Sequence, residues 1–399
     1  MDVPNSVEEQ YSQYSYPEPG DDITQWLKTW SYAPYDPSLY EAQFWPEGRP
    51  RADLNILVAG CGTMQGAVLA FRNPGCKITG IDFAQTSLSH EERLREKHNL
   101  SNLELHKMDL RDVSKLGQSF DLIISSGVLH HLPDPDEGLR ALASVLEPRH
   151  GAMLLMLYGR FARIGVYALQ DVFRRMRIPQ TADGVKFVRA TIQRLPPRHP
   201  ARWYFDTSLE MSSDAAIVDT FLHKQDTAYS VDDVLAFAEK NGVRFRGWLD
   251  SALYHQEWEG IDSNLPERDL WSAVENLSGR IAQHRFMVSL PERDSQSEIT
   301  FEDGNWLNYF PQCHPELRPS DFDPTKAVRG KYEFAISPFE AVLLTEAKGR
   351  KSIDQIMKHK GLAALEPGKR NALVKNFFAR MFKLGHVFLS VVPIKLDAN

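Results

Sequence analysis

Cysteine is scarce in this chain of 399 residues. Cys61, Cys76 and Cys313 are widely scattered, which excludes a disulfide framework and a zinc knuckle. Cys61 has no basic neighbour in sequence to lower its pKa, so it reads as a small packing side chain and not as a catalytic thiol. Long apolar runs are missing too. None reaches the ~18 residues of a spanning helix, and Met1-Asp-Val-Pro-Asn-Ser-Val-Glu-Glu9 lacks the basic and apolar regions of a signal peptide. A cytoplasmic location with no membrane partner is the expectation. Positive charge is in deficit: 46 Lys and Arg stand against 53 Asp and Glu, a formal net charge of −7. Nucleic acid is therefore not an expected partner, because neutralising phosphates requires a positive field.

What is present begins with an apolar content of 42%, enough for a real core, on a length that suggests two or three domains. The most informative stretch is Leu54-Asn-Ile-Leu-Val-Ala-Gly-Cys-Gly-Thr-Met-Gln-Gly66, answered by Lys77-Ile-Thr-Gly-Ile-Asp82. It predicts an apolar strand, a glycine turn, a helix, and a second strand ending in a carboxylate. Gly60 and Gly62 let backbone approach a ligand, and the following helix is expected to offer it unpaired N–H groups. Asp82 stands where a carboxylate accepts hydrogen bonds from both hydroxyls of a ribose. An adenosine-containing ligand is implied, although nicotinamide dehydrogenases share this arrangement.

Short apolar runs then alternate with amphipathic helices from Leu54 to Leu157, the pattern of βαβ units and a parallel sheet. Right-handed crossovers place every strand's carboxyl end on one edge, and Gly60, Asp82, Asp109 and Ser126 all fall there. Leu103-Glu-Leu-His-Lys-Met-Asp109, Ser119 to Asp136 and Gly138 to Tyr158 complete a run that closely resembles the class I S-adenosylmethionine-dependent methyltransferases. The resemblance implies S-adenosyl-L-methionine as cofactor, held by Gly60, Cys61, Gly62, Asp82, Phe83, Met108, Asp109, Leu110, Ser126 and Gly127. Asp82 would take the ribose and Asp109 the adenine end. One departure stands out: Met64 occupies the third place of the family's Gly-x-Gly-x-Gly turn. Ser125-Ser-Gly-Val-Leu-His-His131 resembles the type that acts on small molecules, and no Asn-Pro-Pro-Tyr motif follows strand four. The run is also similar to the methyltransferase unit found beside tetratricopeptide repeats in some bacterial proteins, but no such repeats are visible here.

The expected fold class is α/β: a Rossmann-like methyltransferase sheet with a helical cap insertion and a small C-terminal winged-helix-like domain. Residues 1–50, rich in aromatics from Tyr11 to Trp45, read as a lid over the cofactor or as a strap packed on the catalytic domain. A cofactor-binding core spans 51–158, and a helical cap or dimer brace spans 159–228. The core returns over 229–295 with a terminal β-hairpin, which sets the chain apart from a dehydrogenase. An accessory winged-helix-like domain follows over 300–399. Its Lys369, Arg370, Lys375, Arg380 and Lys383 read as a solvated helix face beside a Phe377, Phe378 and Phe382 core stripe, with a basic recognition helix as the alternative, and the domain suits dimerisation or protein docking better than DNA binding.

His130 and His131 at the active edge are candidate general bases, with a packing role as the alternative, and Tyr158 is a candidate for positioning the acceptor. The expected activity is methyl transfer to a small-molecule O or N acceptor. A protein acceptor and a non-catalytic S-adenosylmethionine-binding regulator are the alternatives. No metal is expected.

Overall fold

A computed structural model describes residues 14, 20–29, 35–255, 265–293, 299–323, 325–330 and 332–394. The chain forms two compact units. The first draws on 1–29, 53–248 and 258–291, the second on 30–52, 249–257 and 292–399.

The first unit is built on a seven-stranded sheet. Strands β1 (Asn55–Ala59), β2 (Lys77–Asp82), β3 (Leu103–Lys107), β4 (Leu122–Ser126), β5 (Ala152–Tyr158), β6 (Arg244–Trp248) and β7 (Gln283–Ser289) lie in the order β3-β2-β1-β4-β5-β7-β6. Pairs among β1 to β5 are parallel, whereas β7 runs antiparallel to both β5 and β6. The central strands are apolar without alternation because helices cover both faces. Ile56, Leu57, Val58, Leu154, Leu155 and Leu157 are fully buried. With order reversal at β1 and β4, their carboxyl ends open a crevice at the switch point, where ligands of such sheets bind.

The helices of this unit are α1 (Ile23–Thr29), α2 (Gln65–Arg72), α3 (Gln85–Lys97), α4 (Pro135–Ala143), α5 (Ile164–Arg175), α6 (Ala182–Arg194), α7 (Pro200–Thr207), α8 (Asp214–Phe221), α9 (Val231–Lys240) and α10 (Glu267–Ser278). Side-chain caps set several starts: Asp134 for α4, Thr181 for α6, Ser213 for α8, and a reciprocal Ser230 and Asp233 box for α9. Helices α5 to α8 form the insertion and have their own apolar centre, with Val166, Phe173, Val188, Ile217 and Phe221 buried together. Tyr14, from the aromatic N-terminal stretch, packs against it.

The second unit holds the helix Pro37–Phe44, a two-stranded sheet of β8 (Phe310–Cys313) and β12 (Val387–Ser390), and a three-stranded antiparallel sheet of β9 (Leu317–Pro319), β10 (Lys326–Arg329) and β11 (Tyr332–Ala335). Helices Pro338–Glu346, Ile353–Met357 and Pro367–Lys383 complete it, with Phe377, Phe378 and Met381 in its core. The N-terminal aromatic stretch is thus divided between the two units. Tyr40 meets His314 edge-on and Phe388 at a tilt, Val391 N–H donates to the Pro46 carbonyl, and Arg293 reaches the Phe44 carbonyl and Glu47. Tyr11, Tyr16, Trp30 and Tyr32 lie outside the described residues. Among the described residues no helix is long and apolar enough to cross a membrane.

Candidate active site

The crevice begins where β1 ends. Gly60 and Gly62 adopt φ of +75° and +59°, a region that strains any residue with a Cβ. A Cβ on Gly60 would also stand 2.4 Å from a Val128 methyl of the β4 loop. The N–H groups of Gly60 and Cys61 donate to the Ile81 carbonyl, and Gly62 N–H donates to Asp82 Oδ2 at 2.9 Å. Asp82 Oδ1 accepts from Ala84 N–H at 2.8 Å. Burial pushes the Asp82 carboxyl up, while the N–H groups of Ala84, Gly62 and Phe83 pull it down. With three N–H groups on its two oxygens, the carboxylate ties the two loops together and keeps one acceptor position for a hydroxyl.

Met108 and Gly127 complete the arc. Met108 N–H donates to the Asp82 carbonyl, and Gly127, at φ +78°, donates to the Met156 carbonyl at 3.3 Å. Asp109 caps the short 3-10 helix Leu110–Leu116 and is held by the Arg111 guanidinium, which keeps its carboxyl below the usual range. Leu110 is buried beside it. Phe83 follows Asp82 directly, and Ser126 is the last residue of β4. Cys61 is buried, and burial, with Glu91 and Asp82 nearby, pushes its thiol well up, so it stays protonated.

One expectation is corrected at this turn. The first N–H groups of α2 are not left for a ligand: Gly66 N–H donates to Glu91 Oε1 at 2.9 Å and Ala67 N–H to Oε2 at 2.7 Å. Glu91 comes from α3, is fully buried, and is pushed by burial up to about 8. Met64, in the family's third glycine place, has φ −150°, where no glycine is needed. Its Sδ meets Gly20 N–H at 3.2 Å, and His90 Nε2 lies 3.0 Å from the Gly20 carbonyl. The departure from the glycine pattern thus provides the seat of the N-terminal segment leading into α1.

Across the crevice the ends of β4 and β5 meet the insertion. The ring centroids of His130 and Tyr158 are 4.0 Å apart, those of His130 and His131 4.3 Å, and those of His131 and His223 4.0 Å. Tyr158 O–H donates to Asp219 Oδ2 at 3.1 Å, and the Arg163 guanidinium lies 3.7 Å from the Tyr158 ring centre. Arg163 also donates to Tyr204 Oη at 2.7 Å and faces Asp226 Oδ2 at 3.4 Å. His131 Nδ1 lies 3.0 Å from the Gln225 carbonyl. Burial, reinforced by His131 and Arg163, holds His130 well below the ordinary imidazole range, and His223 is lowered to about 3, again chiefly by burial. Both rings are neutral. Arg163, Asp219, His223 and Asp226 escaped the sequence reading, yet Asp219-Thr-Phe-Leu-His-Lys-Gln-Asp226 has the i, i+4, i+7 spacing that gathers polar groups at the end of a helix.

Comparison with known proteins bears on one stretch of the chain. A family model described as a methyltransferase domain matches residues 50–177. The fold is shared with PKMT2 from Rickettsia typhi, also solved with AdoHcy: TM-score 0.64, 16% identity, over 89% of this chain and 75% of that one. Residues 50–177 thus match a methyltransferase domain, and the sheet around them has the fold of a solved methyltransferase-family neighbour crystallised with AdoHcy.

An uncharacterized protein of Synechococcus is 34% identical over 214 residues, 51% of this chain and 49% of its own. A ubiquinone biosynthesis O-methyltransferase of Coxiella burnetii is 28% identical over 96 residues, 24% of this chain and 39% of its own. The chain thus spans about half the length, or less, of these curated relatives. The methyltransferase domain contributes the glycine turn, Asp82, Asp109, His130, His131, Tyr158 and Arg163. Asp219, His223 and Asp226 come from the insertion beyond the matched stretch.

Proposed function

We propose that this chain binds S-adenosylmethionine at Gly60 to Gly62, Asp82 and Asp109 and transfers its methyl group to an O or N atom of a small-molecule acceptor. The observation that carries the reading is Asp82: fixed by backbone N–H groups of both loops, its carboxylate stands at the switch point with an acceptor position left for a ribose hydroxyl. When bound, the cofactor supplies an electrophilic methyl group on a positively charged sulfur.

Alignment and exclusion of water supply most of the rate in such a transfer, and the buried walls of the crevice suit both. Where the acceptor is a hydroxyl, its lone pair forms the bond to the methyl carbon, the carbon–sulfur bond breaks, and the hydroxyl proton must leave. Tyr158 takes that proton in this reading. Its own proton already points at Asp219, so one can arrive at its oxygen as the other passes to Oδ2. Asp219 ends the step protonated, and Arg163 over the ring face holds Tyr158 in place.

Calorimetry with S-adenosylmethionine, S-adenosylhomocysteine and NAD, followed by radiolabel transfer to metabolite and protein fractions, tests the proposal. Binding of both sulfur nucleosides and label in a small-molecule fraction is expected. Label confined to protein would shift the acceptor class, and binding without transfer to any fraction would leave a regulator. Saturable NAD binding without the other two would overturn the reading.

A further inference from the structure

Between the ends of β4 and β5 and the insertion lies a buried polar cluster. Asp219 is 2% exposed and the Asp226 side chain 1%, and burial pushes the Asp226 carboxyl up while Arg163 and His131 pull it down. The same place has unused ligand atoms. His130 is fully buried, and neither ring nitrogen meets the geometry of a hydrogen bond. Asp226 Oδ2 faces Arg163 and Gln170, while Oδ1 has no hydrogen-bond partner. His131 Nδ1 faces the Gln225 carbonyl, so the lone pair of the neutral ring falls on Nε2. One ligand atom each from His130, His131 and Asp226 lie within 4.8 Å of one another, and the same holds for His131, Asp219 and His223.

We infer that His130, His131 and Asp226 bind one first-row divalent transition ion, with Asp219 within reach as a second carboxylate. Two imidazoles and a carboxylate suit Zn²⁺, Fe²⁺ or Mn²⁺, whereas Mg²⁺ and Ca²⁺ take oxygen ligands. Bonds of ~2.0–2.2 Å place ligand atoms roughly 3–4 Å apart, so the side chains close in by up to about 1 Å on loading. The carbonyl of Gln225 on His131 Nδ1 is the outer partner that fixes the tautomer of a metal-bound histidine. His223 is not a ligand: its Nδ1 accepts from Gln225 N–H at 3.1 Å, which leaves the proton on Nε2. Because His130 and His131 belong to the β4 loop and Asp226 follows α8, the ion clips the insertion to the sheet. Its further role, lowering the pKa of an acceptor hydroxyl beside Tyr158, rests on the methyl-transfer reading.

The test uses the full chain, stripped with a chelator and reloaded, with metal content read by mass spectrometry and unfolding followed by heat. One equivalent of Zn²⁺ or Mn²⁺ per chain and a raised unfolding midpoint are expected, with no response to Mg²⁺. Co²⁺ loading should give the visible d–d absorption of nitrogen and oxygen coordination in the wild type, which needs no variant to fold. Asp226→Asn and His130→Gln should each weaken uptake at least about tenfold. No uptake by the wild type, or uptake unchanged in both variants, overturns the site. S-adenosylhomocysteine binding on the same samples separates the two claims: nucleoside binding without metal uptake removes the ion alone, and the reverse removes the methyl-transfer reading alone.

Discussion

The carboxyl of Glu91 makes a prediction about pH that is unusual for an acidic residue in a helix. It is fully buried between α3 and the start of α2, accepting from Gly66 and Ala67 N–H groups. Burial raises it from 4.5 to about 8. An acid with a raised folded pKa holds its proton in the folded state while the unfolded chain has lost it. Its stabilising contribution is therefore complete below pH 4.5 and is lost as pH rises through about 8. At ~1.36 kcal/mol per unit, the loss between pH 5.5 and 8 comes to about 3 kcal/mol. Glu91→Gln keeps the shape and removes the proton exchange. At pH 5.5 the variant should be the less stable by ~1–3 kcal/mol, because its amide NH₂ faces one of the two N–H donors. The gap should close or reverse by pH 8. Urea unfolding of both proteins at pH 5.5, 7 and 8, followed by a probe within the first unit, measures the difference. Parallel pH profiles would refute the reasoning, as would a wild type that gains on the variant with rising pH, the behaviour of a carboxylate held ionised by the helix start.

Three further outcomes follow from the crevice. Asp82→Ala should weaken S-adenosylhomocysteine binding by ~1–3 kcal/mol in calorimetry, the worth of hydrogen bonds to a charged group; unchanged affinity would mean that the ribose lies elsewhere. Tyr158→Phe, which removes the hydroxyl on Asp219, should lower kcat for a hydroxyl acceptor by ~10²-fold or more and leave nucleoside affinity intact; equal losses in both would make Tyr158 structural. Met64→Gly removes the seat of Gly20, so limited proteolysis should cut residues 20–29 faster than in the wild type, and an unchanged rate would show that His90, Lys97 and His98 suffice to hold the segment.

The sheet was legible because its signals are local. Strand, glycine turn and strand-end acid lie within thirty residues, and Ser230 with Asp233 announces α9 by the same short-range logic. Helix α1 occupies Ile23–Thr29, where the prolines on either side leave room for it. The division of the aromatic N-terminal stretch was not legible. It depends on Tyr40 meeting Phe388 and Arg293 meeting Glu47, pairings hundreds of residues apart that leave no periodic trace. Strands β9 to β11, at three or four residues each, are too short to declare an alternation. In the C-terminal segment the three helices and final strand were legible from their local patterns, and this second sheet was not.

The site divides along the same line. The residues expected to hold the cofactor sit at strand ends, where topology alone gathers them; the groups that set the local charge do not. Glu91 follows His90 and precedes Glu92 in a helix that reads as a solvated face, and only the close approach of α2, which needs Gly66 to be small, turns it inward. A Cβ at Gly66 would stand 3.2 Å from Glu91 Oε1, so that glycine serves the buried carboxylate and not the ligand. Asp219 and Asp226 likewise acquire meaning only when the insertion folds back on β5 and meets Tyr158 and Arg163. Two sets of glycines and acids, indistinguishable as letters, thus do different jobs. Gly60, Gly62 and Asp82 shape the mouth of the crevice, and Gly66 with Glu91 fixes the helix behind it. A substitution that exchanged their roles would therefore act on binding in the first case and on stability in the second.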